Sequence, residues 1–183
     1  MSIINTPKKN GKRIRFLRNF FEHRALWFYF IYDEARKAGI RPGSFAPDAI
    51  KRCGIYHGMR ALTGKDIEVK SPSALTEIEK SETAQQQKSC RILKKKLFTP
   101  TGKAVFEMKF SKLDDDFFNV DFHYCPLVNA WKKQGCSDED IEKLCDWAME
   151  GDRGIADVFG CKLELNKTIA KGDGVCEIRF SRK

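Results

Sequence analysis

Cys125 stands directly before Pro126 and after an alternating apolar run, so the sequence places a thiol where a strand gives way to a helix. Proline suits a helix's first position, which makes Cys125 the N-cap. Unpaired backbone N–H groups and the helix dipole there favour thiolate over thiol, a route to a nucleophilic cysteine. His123 lies two residues earlier. On an extended strand it shares the face of Cys125 and could exchange a proton with it or with a substrate. The same residues also read as a buried cysteine beside a surface histidine.

Further chemistry-bearing side chains follow. Cys145 and Asp146 fall on the next helix, and Asp152 comes seven residues after Cys145, just past a break expected at Gly151. Acids near thiols can serve as an acid/base pair, although acids on a helix flank are commonly just solvated. Arg153 could bind a substrate carboxylate or pair with one of these acids. Cys176 opens an inward strand face, where a thiol lines a cavity mouth or fills the core. Cys125, Cys145, Cys176 and His123 have the right types for zinc but none of the short paired intervals of zinc sites, so no metal is expected. Gly172-Asp173-Gly174 reads as a hairpin turn rather than a phosphate loop, and no cofactor motif appears.

The elements that must hold these residues are legible from periodicity. From Lys12 to Lys37 the positions Ile14, Leu17, Phe21, Ala25, Phe28, Ile31 or Tyr32, and Ala35 step by three and four, the mark of one amphipathic helix stopping at Gly39. Pro47-Asp48 opens a second helix to about Leu62, residues 65 to 72 form a loop, and residues 73 to 96 are expected to be helical. Past Thr99-Pro100-Thr101-Gly102, Ala104, Phe106, Met108 and Phe110 alternate. After Asp114-Asp115-Asp116 a second alternation carries Phe118, Val120 and Phe122, giving a hairpin. Pro126 starts a helix that Gly135 stops, and Ser137 caps another carrying Ile141, Leu144, Cys145 and Ala148 inward. Runs from Cys161 to Ile169 and from Val175 to Phe180, joined by residues 170 to 174, form a second hairpin. The expected fold is α+β: a four-stranded antiparallel sheet of two hairpins packed against helices, in a single domain with a helical part at 1–96 and an α+β part at 97–183.

Composition narrows the class. The 183 residues are 42% hydrophobic and 32% charged, with 34 Lys plus Arg against 25 Asp plus Glu, a net charge of +9. This charge excludes a membrane bundle, and 14 Phe, 3 Trp and 4 Tyr exclude a disordered chain. The longest apolar run, Ala25 to Tyr32, is eight residues, against about 20 for a spanning helix. Seven irregularly spaced cysteines read as reduced thiols in a cytoplasm. Residues 1–24 carry seven bases against one acid, whereas residues 113–157 carry twelve acids against four bases. A basic start can attract nucleic acid, but without a recognition motif beside it a solvated helix face is the better reading and a nucleic-acid role is disfavoured. A small-molecule substrate fits better, and a homo-oligomer is left open.

The C-terminal half resembles the L-2-amino-thiazoline-4-carboxylic acid hydrolase family. The resemblance is carried by His123-Tyr124-Cys125-Pro126-Leu127-Val128 with Ala130-Trp131, by Leu144-Cys145-Asp146 with Ala148-Met149, by Gly151-Asp152-Arg153-Gly154-Ile155, and by Thr168-Ile169-Ala170-Lys171-Gly172-Asp173 with Cys176-Glu177. It covers residues from about 97 to the end. It implies hydrolytic opening of a cyclic amidine-like thiazoline to a carbamoyl cysteine, a step in bacterial cysteine formation. Cys125, His123, Asp152 and Asp146 would then be catalytic, and Cys145, Arg153, Cys176 and Asp173 would bind substrate. An acidic pocket would favour the protonated ring. A non-catalytic binding or sensing module with a cysteine-lined pocket is the rival reading.

Overall fold

The computed structural model describes residues 3–8, 11–73 and 88–183. Helices α1 (Lys12–Lys37) and α2 (Ala46–Thr63) are followed by α3 (Cys90–Leu97) and α4 (Pro100–Val105), then strands β1 (Met108–Leu113) and β2 (Phe117–Phe122). Helices α5 (Pro126–Lys133) and α6 (Asp138–Val158) precede β3 (Cys161–Leu165) and β4 (Cys176–Arg182), with 3-10 turns at Pro42–Ser44 and Ile169–Lys171. The four strands form one antiparallel sheet in the order β1-β2-β4-β3. The two hairpins therefore meet along β2 and β4, with Phe122 opposite Cys176 and Phe118 opposite Phe180. The α+β architecture and helical N-terminal half are as the sequence implies.

One sheet face is apolar. Phe118, Val120, Leu163, Ile178 and Phe180 are buried on it, with Phe118 and Phe180 stacked at 5.6 Å and Phe98 edge-on to both. The other face carries ions: the Arg179 guanidinium bridges Asp121 at 2.7 Å and Glu177, which Lys167 also reaches at 3.0 Å. Period-two alternation thus sorts each strand into a face for the core and a face for charge.

Helix α1 docks through a buried ion pair. Arg18 donates to Glu107 at 3.0 Å and to the Val105 carbonyl at 3.0 Å, and its guanidinium lies 4.1 Å over the Tyr124 ring. Glu107 adopts φ +53, a left-handed turn that a non-glycine residue takes only when its surroundings hold it. The Arg18 contact does so at the joint between α4 and β1. Farther along α1, Trp131 donates its indole N–H to the Ala25 carbonyl, and Tyr32 donates to Asp140 at 2.6 Å. Tyr32 faces inward and Ile31 outward, which resolves the alternative left by the spacing.

Several expected boundaries move. Ala104 and Phe106 do not begin the first strand: Thr99 caps α4 by accepting from Gly102 N–H at 3.1 Å, and Pro100 occupies the first turn, so a helix end precedes the strand. The third strand stops at Leu165 rather than Ile169, because Thr168 caps a 3-10 turn and Asp173 accepts from Thr168 N–H at 2.8 Å. Of the helical stretch expected at 73–96, residues 74–87 lie outside the described residues, while Ser89 caps α3.

Gly151 does not break a helix. Helix α6 runs continuously through it, because Gly54 of α2 meets Gly151 backbone to backbone. A Cβ on Gly54 would overlap the Gly151 carbonyl, and one on Gly154 would lie 2.5 Å from the Lys51 carbonyl. Glycine inside a helix costs roughly 1 kcal/mol relative to alanine, and here the close approach of two helices replaces that loss. Gly54→Ala should therefore destabilise the protein by about 3 kcal/mol despite its better helix propensity. Gly58→Ala, whose Cβ would face only the Val158 side chain at 3.0 Å, should cost about 1 kcal/mol, since that side chain can yield. Urea unfolding of the two variants checks the order.

Candidate functional site

Cys125 is the N-cap of α5, as its place before Pro126 predicts. Its backbone is gripped by a residue 120 positions away: the Asn5 side chain donates to the Cys125 carbonyl at 2.8 Å and accepts from its N–H at 3.0 Å. The Ile3 side chain is buried, and its carbonyl accepts from Lys132 Nζ at 2.6 Å, which ties the same N-terminal segment to α5. The thiol itself closes no cap hydrogen bond. Burial pushes the Cys125 thiol up, against the smaller downward pulls of the Val128 and Leu127 N–H groups and of Arg24. The lowered pKa expected from the helix start is therefore overturned: loss of water costs the thiolate more than the helix end returns.

Helix α6 supplies the next two groups from one face, two turns apart. Burial raises Cys145 well above an ordinary thiol, and Cys125, Cys176, Asp146 and Asp152 all push it the same way. Asp152 is open to solvent, yet enough protein crowds its carboxyl to raise its pKa, opposed by Arg24 and Arg153. Cys176, at the start of β4, accepts from the Ile169 N–H at 3.3 Å, and burial together with Cys125 takes it up to about 12. Cys125, Cys145, Cys176 and Asp152 thus lie near enough to repel one another's negative charge. The solvent-exposed Asp152 carboxylate is near enough to act on the charge of the sulfur before Pro126.

Beside them opens a cleft of 530 Å³ lined by Cys145, Asp146, Trp147, Arg153, Thr168 and Lys171 among others. Cys145 joins the cleft to the thiol cluster. The cleft is not acidic as the charge run implied: Glu139, Glu142 and Asp146 are matched by Lys143, Arg153 and Lys171. Arg153 is already held by Asp146 at 2.9 Å and Glu150 at 2.7 Å. Asp173 closes the 168–173 turn, as described above. His123 is half-buried, and its buried Nε2 has no hydrogen-bond partner among the described residues. It is not among the groups that most shift Cys125.

Two residues escaped the sequence reading. Arg24, on α1, acts on both Cys125 and Asp152, and among the described residues it forms no ion pair; in the sequence it counted only as part of the basic start. Asn5 has no motif at all, because its role exists only through a contact across the fold. No group of three or more His, Cys, Asp or Glu among the described residues is arranged to hold a metal ion. Nor is any described helix long and apolar enough to cross a membrane.

The model of the L-2-amino-thiazoline-4-carboxylic acid hydrolase family matches residues 18–180, nearly the whole chain and every thiol of the cluster. The chain belongs to this family. No curated protein matches it. Among solved structures it is similar to a trafficking protein particle complex subunit 3 from Naegleria fowleri covalently bound to palmitic acid, with 12% identity, a TM-score of 0.52, and coverage of 91% of this chain and 96% of that one. That likeness is one of fold. The family assignment makes this a hydrolase-family chain and reaches back through α1, so Arg24 lies within the matched region.

The raised Asp152 carboxyl has a thermodynamic consequence. Between its ordinary value of 3.8 and its higher folded value, the folded protein holds a proton that the unfolded chain releases, so stability falls as pH rises through that window. Asp152→Asn lacks this loss and should melt at a higher temperature than the parent at pH 7, the gap closing below pH 3.8; thermal unfolding across pH measures it. Thiol labelling reads the cysteines directly. At pH 7, exposed Cys53 should be alkylated at least about tenfold faster than Cys125 or Cys176, whose burial raises both thiols, as peptide mass spectrometry will show.

Proposed function

We propose that this chain hydrolyses a cyclic amidine-like ring, such as 2-amino-thiazoline-4-carboxylate, to a carbamoyl cysteine. The observation that carries the reading is the grouping of Cys125, Asp152 and Arg24, near enough to act on one another's charge, with Cys145, which lines an open cleft. The electrophile is the ring carbon between nitrogen and sulfur. A carboxylate whose pKa is raised, as at Asp152, is a better base than an ordinary Asp. Arg24, which forms no ion pair among the described residues, suits the substrate carboxylate.

Either a water activated by Asp152 or the Cys125 thiolate can attack, and the upward-shifted thiol favours water. The water oxygen bonds to the carbon while one of its protons passes through Asp152 to the ring nitrogen. Collapse to a carbonyl breaks the C–S bond, and the remaining hydroxyl proton moves to the departing sulfur. Substrate plus water equals product. His123 and Asp146 are then dispensable as proton donors, and the neutral thiols shape a pocket of low polarity around the reacting carbon.

A second reading, a non-catalytic binding module with a cysteine-lined pocket, is favoured by one observation: burial raises all three thiols, which suits a lining better than a set of nucleophiles. Turnover separates the two. Purified protein incubated with thiazolines, cyclic ureas and related amidines should release free thiol or amine catalytically. Asp152→Asn should lower kcat by about 10³-fold, Arg24→Gln should chiefly raise KM, and Cys125→Ser should keep measurable activity. A pre-steady-state burst abolished in Cys125→Ser would assign the attack to the thiolate. Stoichiometric binding with no turnover on any ring would assign the pocket to the non-catalytic reading.

A further inference from the structure

Helix α1 buries one face and presents the opposite one to solvent, and that outer face is aromatic rather than polar. Phe16 (61% exposed), Phe20 (60%), Trp27 (64%), Phe30 (49%) and Ile31 (55%) recur at the three- and four-residue spacing of one side of a helix. They run for about 22 Å. Single exposed apolar side chains need no explanation, but a contiguous stripe does. Since a large aromatic side chain offers about 150–250 Å², these fractions leave roughly 600 Å² of apolar surface on the helix. That is the upper end for a patch on a monomeric protein.

We infer that this stripe is a two-fold interface through which two copies of the chain pair, α1 against α1 and antiparallel. Two observations fix the occupant. The stripe is nearly symmetric about its own midpoint near His23 and Arg24, so an antiparallel copy sets Phe16 against Ile31 and Phe20 against Trp27, as an isologous contact requires. Joining two such faces buries roughly 1,200 Å², which clears the ~1,000 Å² of a specific interface.

The stripe's polar atoms also favour a dry protein contact. Trp27 donates its indole N–H to His23 Nε2 at 2.9 Å within the same helix. A tryptophan anchoring a lipid surface keeps that group for the wet interface. Phe16 and Phe20 already meet edge-on at 5.0 Å, so part of the surface is ordered before a partner arrives.

Sedimentation equilibrium of the full chain at about 50 µM, where a micromolar dimer is populated, should give twice the 21.0 kDa chain mass. Trp27→Glu and Phe20→Asp, both on solvent-facing positions, should each weaken pairing by at least about 100-fold while leaving the circular dichroism spectrum unchanged. The register has its own test. In a Cys53→Ser background, His23→Cys lies near the two-fold axis and should form an intermolecular disulfide on mild oxidation, whereas Phe16→Cys should not. A 21.0 kDa species at that concentration, or a dimer indifferent to both stripe variants, overturns the proposal. So does a monomer whose Trp27 fluorescence shifts to the blue on phosphatidylserine vesicles, which would give the stripe to a lipid surface.

Discussion

The backbone-on-backbone contact of α2 with α6 is the constraint on which the candidate site depends. Gly54, Gly151 and Gly154 let two helices approach until main-chain atoms touch, closer than side chains ordinarily allow. The contact settles which way α6 is turned about its own axis. Its other faces then have no freedom: Ile141, Leu144 and Ala156 enter the core, while Cys145 and Asp152 come near enough to Cys125 for their charges to act on one another. Ion pairs from Asp157 to Lys51 and Lys183 clasp the C-terminal end of the same seam. A site spread over four elements is held in place by the absence of side chains at a few positions.

Much of this was legible in the sequence where the signal is local. The bounds of α1 follow from its apolar spacing, Ser137 caps α6 by accepting from Asp140 N–H, and Cys125 caps α5. These signals depend on residues within one or two turns of each other. Local reading failed where a residue's meaning is tertiary. Gly151 reads as a breaker in isolation, and only the facing Gly54 shows it to be a spacer. Thr99-Pro100 reads as a turn before a strand, yet it starts a helical turn whose exit bends through the left-handed Glu107, a conformation that the Arg18 ion pair sustains from 89 residues away.

The site shows the same division on an electrostatic scale. A helix start lowers a thiol's pKa only through N–H groups close to the sulfur, whereas burial acts on the whole thiolate charge. Cys125 meets both and burial wins, as it does for Cys145 and Cys176. Charge runs mislead for a related reason. The acids of the stretch 113–157 are spread over a turn, a strand and a helix, so they point in several directions and meet bases from elsewhere: Asp121 meets Arg179, and Asp140 meets Arg36. Charge summed along a chain is therefore no guide to charge summed around a cavity.

The basic start looked like a solvated face in the sequence, and its bases divide into separate tasks once the chain is folded. Arg18 turns inward and is consumed by the core. Arg24 stands at the edge of the thiol cluster. Lys12 and Arg13 stay in water at the end of the aromatic stripe. Helix α1 thus has three sides, one for the core, one that borders the candidate site and one turned outward, and Arg24 lies between the last two. Any body that settles on the outer side meets the flank of Arg24, whose charge acts on Cys125 and Asp152, so the face turned to solvent and the candidate site share a residue by construction.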